Sequence, residues 1–483
     1  MKNKELFIGR ASELQSLKLL EKKFTASFVV IRGRRRIGKS RLVNQFALES
    51  SAQRKLITFT GLAPEPGVTE KHQREMFADR LFEHFGLRGL NTDNWSDLFF
   101  HLIRETGKGK FIIFLDEISW MAHKDPTFLA KLKTSWDEGL SQNPNLILIV
   151  CGSISVWVEK NILSATAFVG RVSLEILLEE LSLSESNQLL TALQFSGSAY
   201  ERFQILAVTG GVPWYLQQII SGDTAFSFIS RSCFTKSGFL VKEFEKIFHD
   251  LFNKRSVIYR KVIEVLVDQP MEYQDLCEKL EYRTSGRLSE YLNNLVLSGF
   301  IRRDYAWQVG KGESTKLSRY RLSDNYIRFY LKYIAKNKNK IEAGKMAVTS
   351  MSAFPAWETL MGFQFENLIL NNRKMLLEFL NLPPEDIVLD NVFFQRETQA
   401  QLACQIDYLI ETKYKTLYVC EVKFSRDPVG VGVIAEVEEK IRRLAKTKNT
   451  VCIPVLIYVN GVSESLIEKD YFRYLINMQE VLK

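Results

Sequence analysis

Long apolar runs are missing from this chain. Of its 483 residues, 46% are hydrophobic, yet no segment approaches the ~20 uninterrupted apolar residues that a membrane-spanning helix needs. The N-terminal stretch MKNKELFIGR has basic residues but no apolar core of signal-peptide length. The sequence therefore predicts a cytoplasmic protein that has no membrane partner.

Cysteine and histidine are scarce. The six cysteines form no CxxC pair, and the five histidines form no cluster. No cysteine–histidine spacing typical of structural zinc occurs. Most cysteines stand in apolar runs, which favours small buried core residues over metal ligands.

A strong excess of one charge is also missing. The chain has 65 Lys and Arg against 56 Asp and Glu, a net charge of +9. For this length the excess is mild, so it permits nucleic-acid binding without demanding it. A solvated basic surface explains the same charge equally well.

The sequence does contain a glycine-rich loop between a predicted strand and a predicted helix. GRRRIGKS, residues 33–40, fits the pattern GxxxxGK[ST], with the apolar run SFVVIR before it and the helix-spaced SRLVNQFAL overlapping its end. Strand, glycine loop and helix is the order that a phosphate-binding loop requires, because its backbone N–H groups and the helix dipole then face a phosphate. The predicted nucleotide-binding residues of this segment are Gly33, Arg34, Arg35, Arg36, Ile37, Gly38, Lys39, Ser40 and Arg41.

Two residues of this loop have specific chemical roles. Lys39 is expected to reach the β- and γ-phosphates of ATP and to neutralise charge that develops during hydrolysis, and Ser40 to ligate Mg²⁺. The pattern does not specify the residues at the three arginine positions, and the arginines add positive electrostatic potential.

An acidic pair follows a second apolar run. FIIFLDEISW, residues 111–120, predicts a buried parallel strand that ends in Asp116 and Glu117. Asp116 would hold Mg²⁺ through water, and Glu117 would orient or deprotonate the attacking water. The alternative is a strand that ends in a solvated acidic turn.

Two further candidates lie downstream. NLILIVCGSIS, residues 145–155, predicts a third strand that ends near Ser153, where a polar side chain is able to touch the γ-phosphate or the attacking water. In FVGRVSLEIL, Arg171 is a candidate phosphate-sensing or finger arginine. A simple turn and a surface arginine are the alternatives.

Taken in order, these segments resemble the archaeal-type AAA+/STAND ATPases over roughly residues 5–250. The resemblance implies ATP and Mg²⁺ as cofactors. It implies that Gly9, Arg10 and Glu13 lie beside the nucleotide base. It also implies that Gly211-Val212-Pro213 belongs to a helical lid on the nucleotide side. The matching stretches are FIGRASEL, GRRRIGKS, FIIFLDE, VCGSISV, VGRVSLEIL and TGGVPWYL.

The middle of the chain has the pattern of a winged helix-turn-helix. Three helical segments begin near residues 256, 273 and 285, and two short strands, FIRRDYA and SRYRLSD, flank a polar turn. If the third helix enters a DNA major groove, phosphate contacts would come from Arg283, Arg287, Arg302 and Arg303. The alternative is a protein-packing module, and Glu290 on the third helix weakens the groove interpretation.

The last part of the chain holds a second set of charged residues. A helix over residues 356–370 carries Glu366, and strands are predicted over residues 387–396, 404–411, 416–424 and 451–460. Asp407 lies 14 residues before Glu421, and Lys423 shares a strand face with Glu421. Two carboxylates are able to hold Mg²⁺, and the lysine to position a water for attack on a phosphodiester.

This pattern resembles the core of the PD-(D/E)xK nucleases, with Glu366 matching the acidic residue of their first helix. The resemblance implies the metal ligands Glu366, Asp407 and Glu421 and a catalytic Lys423. The Pro-Asp pair itself is absent, since Gln405-Ile406-Asp407 stands there. The alternative is a nuclease-derived interaction domain whose charged residues form a hydrogen-bonding scaffold.

The predicted fold class is α/β: a P-loop NTPase parallel sheet with a helical lid, a winged helix-turn-helix, and a C-terminal α/β restriction-endonuclease-like domain. The function predicted is an ATPase coupled to a metal-dependent nuclease that acts on DNA. The alternative is a nucleotide-switched regulatory or DNA-binding protein, and Arg171 acting in trans would imply a homo-oligomer. The predicted segments are 1–175 (ATPase core), 176–250 (lid), 251–335 (winged helix), 336–350 (linker) and 351–483 (nuclease-like domain).

Overall fold

The computed structural model divides the chain into two compact units, Met1–Glu180 and Leu181–Lys483. It describes residues 6–51, 53–153, 155–252, 256–282, 286–346, 348–399 and 401–482, without the side chains of residues 249–252. Arg283, one of the predicted DNA-contacting residues, lies outside the described part.

The first unit is built on a five-stranded sheet in which every neighbouring pair is parallel. The strand order is β2-β3-β4-β1-β5. Runs of Val, Ile, Leu and Phe form the central strands because both faces of the sheet are covered. The strands are β1 (Ser27–Arg32), β2 (Lys55–Thr60), β3 (Phe111–Asp116), β4 (Leu146–Gly152) and β5 (Val172–Leu177).

Helices cover both faces of this sheet. Successive residues of β1 enter opposite cores: Phe28 and Val30 pack on one side, and Val29 and Ile31 on the other. Strand and helix bounds agree closely with the apolar runs of the sequence at β1, β3 and the helix after the glycine loop. The helices are α1 (Ala11–Leu20), α2 (Lys39–Glu49), α3 (Glu70–Phe85), α4 (Trp95–Thr106), α5 (Ile118–Met121), α6 (Phe128–Glu138) and α7 (Ser155–Val158).

The second unit begins with a group of helices and continues with three helices and a hairpin, as the sequence predicts for these segments. The hairpin strands pair antiparallel with each other, and a short strand joins their sheet in the order β6-β8-β7. The elements are α8 (Leu183–Ala192), α9 (Ala199–Thr209), α10 (Pro213–Leu216), α11 (Ala225–Cys233), α12 (Glu243–Phe252), α13 (Ser256–Leu266), β6 (Met271–Glu272), α14 (Tyr273–Lys279), α15 (Gly286–Leu297), β7 (Ile301–Gln308) and β8 (Glu313–Leu322).

A continuous helical stretch follows, where the sequence analysis placed a helix end and a linker. Helix α16 (Asn325–Phe329) leads through a π-helical turn, Tyr330–Ile334, into α17 (Ala335–Glu342). The aromatic residues Tyr326, Phe329 and Tyr330 are fully buried. Their packing holds the basic segment in a helix, although its composition is typical of a solvated connection.

The last part of the chain forms a mixed five-stranded sheet in the order β13-β12-β11-β10-β9. Strands β9, β10 and β11 are antiparallel to one another, whereas β11, β12 and β13 run parallel. Helix α18 is buried over most of its C-terminal half. The elements are α18 (Trp357–Asn371), α19 (Arg373–Phe379), β9 (Ile387–Gln395), β10 (Cys404–Thr412), β11 (Thr416–Lys423), α20 (Gly432–Arg443), β12 (Val451–Tyr458), α21 (Glu464–Glu468) and β13 (Tyr474–Asn477).

The β7–β8 hairpin packs on this second sheet. Trp307 and Val309 belong to the same hydrophobic core as the C-terminal strands. The indole N–H of Trp307 and the backbone N–H of Gly310 both donate to the buried carboxylate of Glu411, at 3.1 and 2.5 Å. The tip of the hairpin is therefore part of a packed interface.

No helix in the described part of the chain is long and apolar enough to span a membrane.

Candidate functional site

The glycine loop leaves β1 in a conformation that requires both glycines of the motif, Gly33 and Gly38. Gly33 has φ +151°, and a Cβ added there would lie 2.4 Å from the carbonyl oxygen of Leu178. Gly38 has φ +96° and is the N-cap of α2. A side chain at either position would strain the backbone, so the loop keeps this conformation at the helix N-terminus because both residues are glycine.

Lys39 and Ser40 occupy the first turn of α2. The buried ammonium of Lys39 donates to the carbonyl oxygens of Gly33 and Arg34, at 2.9 and 3.0 Å. Ser40 Oγ donates to Asp116 Oδ2 at 2.7 Å. The structure thus brings together the lysine, the hydroxyl and the carboxylate that the sequence predicted to act on one phosphate and one cation.

Glu117 stands at the first residue after β3, in a left-handed conformation with φ 52°. Its Oε2 accepts hydrogen bonds from the backbone N–H and the hydroxyl of Ser153, at 3.1 and 2.8 Å. Ser153 was expected to touch the γ-phosphate or the water. In the structure, its partner is the carboxylate of Glu117, the residue predicted to orient that water.

Gly61 packs against the turn at Glu117 and was not among the residues predicted from the sequence. A Cβ added there would lie 2.8 Å from the Glu117 carbonyl oxygen and 2.9 Å from the Met121 nitrogen. Its N–H donates to the Asp116 carbonyl oxygen at 3.0 Å. A glycine directly after the apolar run KLITFT, residues 55–60, was the signal, because such a glycine marks a close backbone approach.

Arg10 ties the N-terminal segment to the loop. Gly9 and Arg10 both have left-handed φ values, 75° and 64°. The buried Arg10 guanidinium donates to the carbonyl oxygens of Glu179 and Ile37, at 2.6 and 3.3 Å, and pairs with Glu13 at 3.3 Å. Arg10 therefore braces the end of the loop. Its predicted place beside the base stays a prediction.

Other basic residues of the first unit have protein partners. Arg34 pairs with Glu180 at 3.0 Å, and Arg41 donates to the Leu6 carbonyl oxygen at 2.8 Å. Arg171 forms two hydrogen bonds with Asp137, at 2.7 and 2.9 Å, which hold the pKa of that carboxyl at about 2. A finger role for Arg171 would require this pair to open.

The lid segment lies in the second unit, at the end of α9. A Cβ added at Gly211 would lie 2.2 Å from the carbonyl oxygen of Leu181, so the chain turns tightly there. Pro213 then occupies the first turn of α10, where its missing N–H is not needed. Contact between this segment and a nucleotide stays a prediction.

A second charged site lies in the C-terminal sheet. Asp407 on β10 stands next to the paired residues Tyr408 and Cys420, which places it opposite Glu421 on β11. Asp407 Oδ2 accepts from the Val422 N–H at 2.9 Å, and Glu421 Oε1 pairs with Lys423 at 3.0 Å. The three residues of the predicted nuclease pattern therefore converge.

A lysine that the sequence analysis did not single out joins them. Lys440, on α20, pairs with Asp407 Oδ1 at 3.3 Å and with Glu421 Oε2 at 2.5 Å. Burial would lower the pKa of Lys440, but the two carboxylates raise it overall. Its spacing from Glu421 holds no signal, because a loop and the first turns of α20 separate the two residues along the chain.

Glu366 faces the same cluster from α18. Burial, with a further contribution from the Asp407 carboxylate, raises the pKa of Glu366 to about 8. Burial and Asp407 likewise raise the pKa of Glu421. The carboxylates of Glu366, Asp407 and Glu421 thus lie close together and are poorly solvated. This arrangement favours a bound cation.

The two sites differ in how they fit a divalent metal. Ser40 Oγ and the Asp116 carboxylate supply hard oxygen donors at the glycine loop, which suits Mg²⁺. In the C-terminal site the donor atoms are of the right type, but Lys440 is bonded to two of them. Over the described residues, no group of three or more His, Cys, Asp or Glu side chains is placed to share a metal ion.

Comparison with known proteins identifies the domain that contains the first of these sites. Residues 7–219 match the family model of an ATPase domain found predominantly in Archaea. This stretch includes the glycine loop, the acidic pair, Ser153, Arg171 and the lid segment. The chain therefore carries an archaeal-type ATPase domain, and the protein is an ATPase.

Full-length relatives are distant. The uncharacterised protein MJECL04 of Methanocaldococcus jannaschii is 24% identical over 426 residues, which cover 86% of this chain and 90% of that protein. The Walker-type ATPase PABY2304 of Pyrococcus abyssi is 18% identical, with a TM-score of 0.49 over 67% of this chain and 96% of its own. The ORC2 protein of Aeropyrum pernix is 13% identical, with a TM-score of 0.42 over 70% and 96%.

Proposed function

We propose that this ATPase regulates a metal-dependent nuclease in its own C-terminal segment, and that the substrate is DNA. The observation that carries the proposal is the convergence of Asp407, Glu421 and Lys423 on two adjacent strands. Paired carboxylates with a lysine at one sheet edge are suited to hold a cation and a water against a phosphodiester.

In the ATPase site, each residue has one task. Lys39 binds the phosphate oxygens, and Glu117 accepts a hydrogen bond from the attacking water and aligns it with the γ-phosphorus. Ser153 fixes the Glu117 carboxylate. Ser40 and Asp116 would hold Mg²⁺, which supplies positive charge to the phosphate oxygens when it is bound.

In the C-terminal site, Lys423 is the residue that would position the water. Its ammonium lies between Glu421 and Glu436, at 3.0 and 2.6 Å, on the exposed side of the cluster. Water forms a new P–O bond and releases a proton to solvent, the bond to the leaving sugar oxygen breaks, and that oxygen takes up a proton from solvent. Asp407 and Glu421 would hold Mg²⁺, with Glu366 behind them.

We further propose that the middle segment is a winged helix and that DNA contacts are made by α15 instead of the wing. The exposed face of α15 carries Arg287, Ser289 and Asn293, together with the acidic Glu290. The hairpin tip is packed on the C-terminal sheet through Trp307 and Glu411. Arg303 lies over the rings of Tyr305 and Tyr320, which holds it on the hairpin surface.

The test is cleavage of linear and circular DNA, and of RNA, with Mg²⁺ or Mn²⁺ and with or without ATP. We expect Asp407→Asn and Lys423→Ala to abolish cleavage and to leave ATP hydrolysis unchanged. Lys39→Ala should abolish ATP hydrolysis and the ATP dependence of cleavage. Cleavage that survives in Asp407→Asn would come from a contaminant and would remove the proposal.

A second function is favoured by the ion pairs of Lys440. Because the lysine satisfies both carboxylates, the same cluster is also suited to be a structural element in a nucleotide-switched DNA-binding protein. This function predicts no cleavage with any divalent metal and a DNA affinity that changes in Lys39→Ala. A homo-oligomer in which Arg171 reaches a neighbouring copy is a further proposal, and light scattering with ATP, for Arg171→Ala beside the native protein, tests it.

A further inference from the structure

Lys440 lies where a cation would be expected in the C-terminal site. Its Nζ bridges Asp407 and Glu421, which belong to neighbouring strands, at 3.3 and 2.5 Å. These are the carboxylates that the proposed function assigns to a metal ion. One positive group of this chain thus contacts both donors at once.

We propose that Lys440 is a built-in cation that occupies the metal position, and that a divalent metal binds only when this lysine leaves. The inference rests on the proposed function in taking Asp407 and Glu421 as the metal ligands. It adds a regulatory step: the site is closed by the chain itself until α20 or its lysine moves.

Burial explains why the carboxylates need a counter-ion. The Glu421 side chain is 4% exposed and that of Asp407 is 14% exposed. A carboxylate in such a place is stable in its charged form only when it is paired. Lys440 supplies that pairing, so the apo site is a stable state of the fold.

The Lys440 ammonium is also able to move away from the two carboxylates. Its side chain is 25% exposed, and its flexible four-carbon stem lets the ammonium swing to solvent without moving the helix backbone. Lys423 differs, because it pairs with Glu421 and the half-exposed Glu436 and does not contact Asp407. The two lysines therefore have separate roles, Lys423 beside the site and Lys440 inside it.

The first experiment measures binding of Mn²⁺ to the full-length chain by calorimetry. We expect Lys440→Met to bind Mn²⁺ at least tenfold more tightly than the native protein, because the competing ammonium is gone. Lys440→Gln, which keeps a hydrogen-bond donor, should show the same change. Arg442→Met is the matched control, since Arg442 lies on the same helix but pairs with the exposed Glu439.

A second measurement uses the native chain alone and does not depend on how the variants fold. Reductive methylation followed by mass spectrometry reports how accessible each lysine amine is. We expect saturating Mn²⁺ to increase labelling of Lys440 and to leave the exposed Lys448 unchanged. Unchanged or reduced labelling of Lys440 in the Mn²⁺-bound protein would overturn the inference, as would unchanged or weaker Mn²⁺ binding in both Lys440 variants.

Cleavage measured on the same samples separates this inference from the proposed function. Tighter Mn²⁺ binding in Lys440→Met with no DNA cleavage supports the role of Lys440 and removes the nuclease. Cleavage by the native protein combined with weaker Mn²⁺ binding in Lys440→Met keeps the nuclease. Lys440 would then be a positioning residue that helps the metal to bind.

Discussion

At the scale of single residues, the ATPase site depends on contacts between side chains that come from different strands. Glu117 leaves β3 in a left-handed turn, and its carboxylate is held by Ser153 from the end of β4. Asp116 is held by Ser40 from α2. The chemistry of this site therefore requires positioning as well as the reacting groups themselves.

Ser153 gives the first prediction. In Ser153→Ala, Glu117 loses its hydroxyl partner but keeps its carboxylate, so we expect the kcat for ATP hydrolysis to fall about tenfold, less than the roughly 10²–10⁴-fold that a general base contributes. The KM for ATP should stay unchanged, because Ser153 contacts Glu117 and is not expected to contact the nucleotide. Steady-state kinetics measure both.

Ser164→Ala, at an exposed serine paired with Glu159, is the control. A rise in KM with little change in kcat would show that Ser153 contacts the nucleotide instead.

Glu366 gives a prediction about pH. The pKa of this carboxyl is raised from 4.5 to about 8, so the folded chain keeps a proton that the unfolded chain releases above about 4.5. Stability from this difference is full at low pH and is lost as pH rises towards about 8. We expect metal-free Glu366→Gln to melt near the native temperature at about pH 5 and several degrees higher than the native protein at about pH 9.

The control for this pH series is Glu358→Gln, since Glu358 is an exposed carboxylate on the same helix. It should show no such difference. An equal shift of Glu366→Gln at both pH values would mean that the amide changes packing, and that ionisation of Glu366 is not the cause.

At the scale of elements, the strands that carry the ATPase site could be predicted and several packing relations could not. Buried runs such as SFVVIR and FIIFLD have few alternatives, so β1 and β3 lie where expected. Helix α17 was predicted as a linker because its residues are polar and basic. It is helical because the aromatic residues just before it are buried, and that burial depends on tertiary contacts.

The same limit applies to the sites. The glycine loop and the acidic pair follow from local sequence, because each has a fixed spacing to its strand. Lys440 and the partnership of Ser153 with Glu117 depend on which helices and strands lie side by side. A lysine in the segment EEKIRR looks like any solvated helix residue until α20 is placed against β10 and β11.

The docked hairpin gives a prediction at the element scale. Glu411 accepts from Trp307 and Gly310 in a buried position, so Glu411→Ala leaves two donors without their acceptor. We expect a loss of about 3 kcal/mol, as for hydrogen bonds to a charged group. Urea unfolding measures the loss, and hydrogen exchange should show weaker protection of β7 and β8. Glu397→Ala, at an exposed carboxylate in the loop after β9, should change neither. A native-like urea midpoint for Glu411→Ala would mean that the hairpin is held by its apolar contacts alone.

At the scale of the whole molecule, helix α9 joins the lid segment to the C-terminal site. Its last residue, Thr209, is followed directly by the Gly210–Pro213 turn. At its other end, Tyr200 stacks on Phe424, the residue after Lys423, with ring centroids 4.8 Å apart. Along its length, Gln364 of α18 donates to the Ala207 carbonyl oxygen at 2.8 Å. A shift of the lid would therefore reach the residues around Glu366 and Lys423 through one rigid element.

This continuity predicts that Tyr200 couples ATP to the C-terminal site. Tyr200→Leu keeps an apolar side chain but removes the stacked ring. We expect it to retain ATP hydrolysis and basal DNA cleavage while losing most of the effect of ATP on cleavage and on Mn²⁺ affinity.

Tyr414→Leu, at an exposed tyrosine remote from α9 in sequence, is the control. Coupling by a ligand requires that it favour one of two arrangements of a shared element, and α9 is one element in contact with both segments. If Tyr200→Leu responds to ATP as the native protein does, the signal passes by another route, and the stacking of Tyr200 on Phe424 serves only to hold the unit together.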